Sequence, residues 1–303
     1  MLLSALALNF AIIARRKGAE RRVHILKGHI MWGVLAASLF FLPFNRLIAW
    51  VILAASAGMG LYHGVLTPLS LSYLLAIVAL AGLRHHFREQ RNLAIAFEGL
   101  VVAGCIALFL HLVPGIHNPL MIDGDKAGPL SAPFTMYYNF DKAMVPFLLF
   151  ACLPTLFRTD KAEKSVASGS WIALIISVPA LLLLAVALGG LKIELHAPAW
   201  ILPFVMANLF FVCMAEEALF RGYLQQRLSQ WLGAWPALIV AALVFGAAHL
   251  AGGMLMVIFA TLAGVIYGLA WMWSGRLWVP ILFHFGLNLT HLLFFTYPLY
   301  QHP

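Results

Sequence analysis

The chain has 303 residues, of which 63% are hydrophobic and only 10% charged. Soluble domains sit near about 45–50% apolar, so this composition excludes a large soluble domain and points to a chain that crosses a membrane several times. The formal net charge of +8 would suit a nucleic-acid partner, but the basic residues gather at the ends of apolar runs: RRKGAERR (15–22), RHHFREQR (84–91) and RTDKAEKS (158–165). That is where the positive-inside rule puts cytoplasmic loops, and no nucleic acid is expected.

Residues 1–14, MLLSALALNFAIIA, are apolar and precede the first basic run. A secretory signal carries its charge first and ends in a cleavage site, so this order predicts a short first membrane segment with its N-terminus outside. Apolar runs follow at 30–44, 47–65, 69–83 and 93–113. A helix rising about 1.5 Å per residue needs roughly 17–22 residues to cross the hydrocarbon, and several of these runs are short for that. If 15–22 and 84–91 are both cytoplasmic, an even number of crossings separates them. Three runs lie between, so one is expected to be re-entrant, interfacial or misread.

Residues 114–142, rich in Pro, Gly, Asp and Asn, form the one long polar connection and are expected outside. Further runs occupy 144–157, 171–188, 199–215, 234–250, 254–273 and 277–295, with 158–165 and 274–276 as inner turns and 189–198 as an outer one. This parity brings 199–215 inward, with Glu216 towards its cytoplasmic end. The expected fold class is all-α, a polytopic transmembrane helical bundle in the lipid bilayer. A change of character near 166 divides it into N-terminal membrane helices, 1–165, and a chemically specialised part, 166–303, packed as one bundle. Cys105, Cys152 and Cys213 are isolated within apolar runs and read as buried hydrophobes, with no disulfide framework.

The specialised part holds most of the intramembrane titratable groups. Glu216 and Glu217 follow an apolar run, where a carboxylate costs several kcal/mol unless it is paired. In a helix over AEEALFRGYLQQRL (215–228), Glu217 and Arg221 stand four apart and stack on one face as an ion pair. Glu216 lies about 100° round that helix, which leaves it to face the bundle as the candidate general base. Further on, VFGAAHL (244–250) sets Phe245 and His249 on one face. In ILFHFGLNLT (281–290), His284 and Asn288 are likewise four apart, with His291 continuing the stripe as a decoy or a supporting partner. Asn offers donors for an oxyanion, and His can donate or bind metal. Each segment alone has a plainer reading: a charged helix end, a hydrogen-bonded core histidine, and two polar residues stitching helices together.

In this order, EExxxR, FxxxH and HxxxN on three apolar segments resemble the CPBP family of intramembrane endopeptidases (CAAX protease and bacteriocin-processing, or ABI), related to the type II CAAX prenyl endopeptidases. The motifs stand as EEALFR (216–221), FGAAH (245–249) and HFGLN (284–288). The resemblance covers roughly 171–295, and NFDKAMVPFLL (139–149) looks like a segment that accompanies the domain in some bacterial members. It implies an intramembrane active site that hydrolyses a peptide bond in a peptide or membrane-protein substrate. Glu216 would activate water, and His249 would help to hold that water or a metal. His284 and Asn288 would stabilise the oxyanion or complete a metal site, while Glu217, Arg221 and Phe245 support the structure.

Members of the family are commonly metalloproteases. Zinc on Glu216, His249 and His284 is one expectation, although HExxH is absent and a ligating Glu216 could not serve as a free base. Two other readings compete: a catalytically silent immunity or scaffold protein of the same fold, and a proton-coupled transporter. The second would call for an inverted repeat, which the chain lacks. The compact loops suggest a bacterial inner (plasma) membrane.

Overall fold

Inside hydrocarbon every backbone N–H and C=O has to be satisfied within the chain, which leaves the helix as the economical solution for apolar runs like these. The computed structural model describes residues 30–160 and 166–301. The expected first segment, 1–14, and the basic run 15–22 lie outside the described residues. The described residues are mainly helical, with one small hairpin and irregular connections such as 188–200. Among the described residues, five helices are long and apolar enough to cross a membrane by length and composition.

The described residues fall into two compact units, one ending at Leu66 and one beginning at Thr67. The first holds α1 (Ile30–Phe41) and α2 (Arg46–Tyr62). Asn45 starts α2 by accepting the Ile48 N–H at 3.1 Å, one of the four N-terminal donors a helix leaves unpaired. Met31, Leu35 and Leu39 of α1 and Ala49 and Leu53 of α2 are buried.

The second unit starts with a capping box: Thr67 and Ser70 exchange side-chain and backbone bonds, with Pro68 pre-set at the first helical position of α3 (Pro68–His86). Next come α4 (Arg91–Phe109), the antiparallel strands β1 (Leu120–Asp125) and β2 (Phe134–Tyr137), and α5 (Phe140–Cys152). Although only 13 residues long, α5 is almost wholly buried against α3, α4 and α7. The remaining helices are α6 (Ser168–Ala187), α7 (Ile201–Leu232), α8 (Ala234–Ala247), α9 (Met254–Ser274) and α10 (Trp278–Phe294). The compact unit therefore runs across residue 165, with α3–α5 packed beside the helices that follow.

The long helix α7 is the axis of this unit, packed against α5, α8, α9 and α10. Its 32 residues span about 48 Å at 1.5 Å per residue, so it does not end where the apolar run ends. The expectation that Glu216 lies towards the end of a span at 199–215 is corrected here: both acids sit at the helix midpoint. Beyond Ala215 the helix keeps its polar side chains inside the bundle, where Glu217, Arg221 and Gln225 each find a hydrogen-bond partner. Two stretches of π-helix, Ala207–Cys213 and Ala218–Gln225, flank the acids. Such wide turns in an otherwise α-helical segment are frequent at functional sites.

Helices α8 and α9 pack closely through small residues. Gly246 of α8 lies where a Cβ would meet the Val257 carbonyl at 2.8 Å, and a Cβ on Gly264 of α9 would meet Ala242 Cα at 3.1 Å. The bare backbone of α9 also serves α7. Arg221 donates to the Gly264 carbonyl at 3.1 Å, and Gln225, one turn on, donates to the Gly268 carbonyl at 3.1 Å. Outside this polar seam the surface is apolar, with Ile172, Ile175, Leu202, Leu243 and Leu282 exposed, as a lipid-facing surface requires.

The connection between α4 and α5 is tied down at both ends. Asp141 accepts from Asn118 Nδ2 at 3.1 Å and pairs with His111 Nδ1 at 2.6 Å. At the far end Glu194 accepts from Leu130 N–H and Ser131 Oγ. Gly128 leaves room for that carboxylate, since a Cβ there would fall on it.

Candidate active site

Glu217 is fully buried and accepts two hydrogen bonds on one oxygen. Arg221 Nη1 lies 2.9 Å from its Oε1, the i, i+4 pair expected from the spacing, and His284 Nδ1 lies 2.8 Å from the same atom. This contact holds His284 by its Nδ1 edge and turns Nε2 away from Glu217. Glu217 therefore contacts His284 as well as the Arg221 expected from the spacing, and the contact sets the orientation of the histidine ring.

Arg221 is buried as completely as its partner. Its guanidinium lies over the Phe245 ring at 4.3 Å and the Tyr267 ring at 5.1 Å, and it donates to Gly264 O. Tyr267 in turn stacks on His284, with ring centroids 4.7 Å apart and planes 16° from parallel. Glu217 Oε2 and Arg221 Nε are buried without a hydrogen-bond partner among the described residues.

Glu216, 7% exposed, stands beside this assembly and is held less tightly. Its Oε2 is 4.0 Å from His284 Nε2, and its Oε1 is 3.9 Å from Lys142 Nζ of α5. Both separations are too long for a hydrogen bond. The structure thus brings Glu216, Glu217, Arg221 and His284 together, with Phe245 beneath them.

His249 and Asn288 are placed differently from expectation. Helix α8 ends at Ala247, so His249 lies in the turn after it rather than inside a helix. Its Nδ1 bonds the Phe245 carbonyl at 2.8 Å, capping one of the open acceptors at the helix end, and its ring packs on Phe245 at 4.7 Å. Phe245 also meets His284 edge-on at 5.8 Å, so the two histidines share one aromatic neighbour. The Asn288 amide donates to Asn208 Oδ1 at 3.0 Å and lies 3.7 Å from Cys213 Sγ. His291 bonds the Thr296 carbonyl at 3.0 Å and packs on Tyr297, which anchors the end of the chain rather than the site.

The tentative metal set of Glu216, His249 and His284 is not gathered. Among the described residues no group of three or more His, Cys, Asp or Glu side chains is placed to hold a metal ion. The bonds to the Phe245 carbonyl and to Glu217 fix the two rings separately. Both bonds use Nδ1, which leaves Nε2 of each ring as the nitrogen that would meet a ligand.

Sequence reasoning missed Lys142, Asn208 and Tyr267. Lys142 lay in NFDKAMVPFLL, whose one buried cation was a usable signal. Asn208 in an otherwise apolar run was another. Nothing in the local sequence marks Tyr267, because only the packing of α9 on α10 brings it to His284. Before residue 166, Glu98 of α4 binds Arg84 of α3 at 3.1 Å and Tyr223 of α7 at 2.9 Å.

A family model described as "Type II CAAX prenyl endopeptidase Rce1-like" matches residues 198–290, which contain all three motifs. The chain is also 33% identical over 102 residues to the uncharacterized protein YpbD of Bacillus subtilis (strain 168), an alignment covering 33% of this chain. The chain spans about half the length of that relative, 49%. No solved structure matches. Residues 198–290 are thus similar to the type II CAAX prenyl endopeptidase Rce1-like family, a likeness that supports a CAAX-type intramembrane protease fold for an integral membrane protein.

Proposed function

We propose that the protein is an intramembrane endopeptidase in which Glu216 activates water against a peptide bond. The observation that carries this reading is the pair of contacts on His284. Its Nδ1 is fixed by Glu217, and its Nε2 therefore faces Glu216 Oε2 across 4.0 Å.

A water between them donates to both acceptors, which aims a lone pair at a substrate carbonyl. Glu216 takes the proton as oxygen attacks, then returns it to the leaving amine. Glu217 holds the imidazole in place throughout and offsets any positive charge it gathers, much as a buried carboxylate does behind a catalytic histidine. His249 caps α8 beside the same aromatic cluster and forms the neighbouring wall. Substrates are peptides or membrane proteins that reach a site at the middle of α7.

The test uses full-length protein in detergent micelles, a library of quenched-fluorescent peptides, and mass spectrometry of the products. Wild type is expected to cleave a subset. Glu216→Gln is expected to lose at least about 100-fold of that activity, the scale of a general base, with its thermal midpoint unchanged. Near wild-type cleavage by Glu216→Gln overturns the assignment.

A further inference from the structure

The groups expected to receive the oxyanion are committed elsewhere. His284 is held by Glu217 at its Nδ1 edge, while the Asn288 amide is bonded to Asn208 and lies against Cys213. On the opposite edge of Glu216 stands a cation from outside the family segment. Lys142 Nζ is 3.9 Å from Glu216 Oε1, close enough to feel its charge and too far to be consumed by a hydrogen bond. The ammonium also sits 4.6 Å from the centre of the Phe109 ring of α4, and the side chain is only 16% exposed. A lysine so shielded, with donors to spare beside the water-activating carboxylate, is placed to meet negative charge that develops on a substrate.

We propose that Lys142 is a further catalytic residue, donating an N–H to the carbonyl oxygen of the scissile bond as that oxygen becomes an oxyanion. This rests on the reading of Glu216 as general base. Glu216 removes a proton from water, the water oxygen forms a bond to the carbonyl carbon, and the π electrons move to the carbonyl oxygen opposite Lys142. Collapse re-forms the C=O and breaks the C–N bond, and the proton on Glu216 passes to the departing nitrogen. The products are a carboxylic acid and an amine.

The test uses full-length protein in detergent micelles with two probes: a quenched-fluorescent library peptide that wild type cleaves, and its phosphinic analogue, whose anionic oxygens mimic the oxyanion. Lys142→Met is expected to lower kcat by about 100-fold or more, the scale for one lost oxyanion donor, with KM within about twofold. The inhibition constant of the phosphinic analogue should rise by the same factor as kcat/KM falls, and Lys142→Arg should recover much of both.

Unchanged kcat in Lys142→Met overturns the proposal. So does equal weakening of parent peptide and analogue, because a structural or general binding role moves both together. A lowered thermal midpoint for Lys142→Met passes the decision to Lys142→Arg and Lys142→Gln, which retain a donor: failure of both to rescue analogue binding also overturns it. Cleavage by wild type with no effect of Lys142 removes this inference alone. Absence of any wild-type cleavage removes the hydrolase reading as well.

Discussion

At the scale of single residues, one oxygen organises the site. Glu217 Oε1 takes both the Arg221 and the His284 hydrogen bonds, so one buried carboxylate neutralises a cation and orients a histidine ring. Helical spacing alone separated the two adjacent acids into a paired one and a free one. Spacing could not show that the paired acid also holds the histidine, since that contact joins residues 67 positions apart. Removing one member of a buried ion pair strands the other charge, at about 3–5 kcal/mol. Glu217→Gln and Arg221→Gln are each expected to lower the thermal midpoint in detergent well below that of Glu216→Gln. The double variant should be less damaged than the sum of the two, with a coupling of about 1 kcal/mol or more. Strictly additive losses would show that the pair carries no such energy.

At the scale of elements, glycines determine how near α8, α9 and α7 approach one another. A methyl group on Gly246 would press on Thr261, whose hydroxyl already donates to Val257 O at 2.8 Å and has little room to yield. Gly246→Ala is therefore expected to cost about 1–3 kcal/mol by overpacking, read as a lowered thermal midpoint. Gly286 of α10 lies between His284 and Asn288 yet has nothing within 4 Å of a built Cβ. Gly286→Ala should leave stability unchanged or raise it by up to about 1 kcal/mol through helix propensity. If the two substitutions have equal effects, the close approach of α8 and α9 is not what holds this region.

At the scale of the whole molecule, the surroundings of Glu216 include residues outside the matched family segment. Lys142 and the buried face of α5 come from before residue 166, and α5 packs directly on α7. A chain of residues 166–303 would leave that face of α7 uncovered and its Glu216 without the neighbouring ammonium. We expect this piece to be recovered aggregated or without a cooperative thermal transition. Residues 67–303, which contain one whole compact unit, should fold and keep the site. Size-exclusion profiles and thermal scans in detergent would compare them, and a well-folded 166–303 fragment would show that α5 is dispensable.

Local chemistry was enough to identify a membrane-embedded helical chain, the three polar motifs and the Glu217–Arg221 pair. Each depends on composition or on neighbours within one or two turns, and sequence displays those directly. Tertiary packing decided that α7 runs on past its apolar stretch, that His284 turns its Nε2 to Glu216, and that Asn288 engages Asn208. It also ended α8 before His249 and brought Lys142 and Tyr267 to the site. These contacts join separate helices, where the outcome depends on which faces meet and how closely bare glycine backbone lets them approach. No local periodicity encodes that choice.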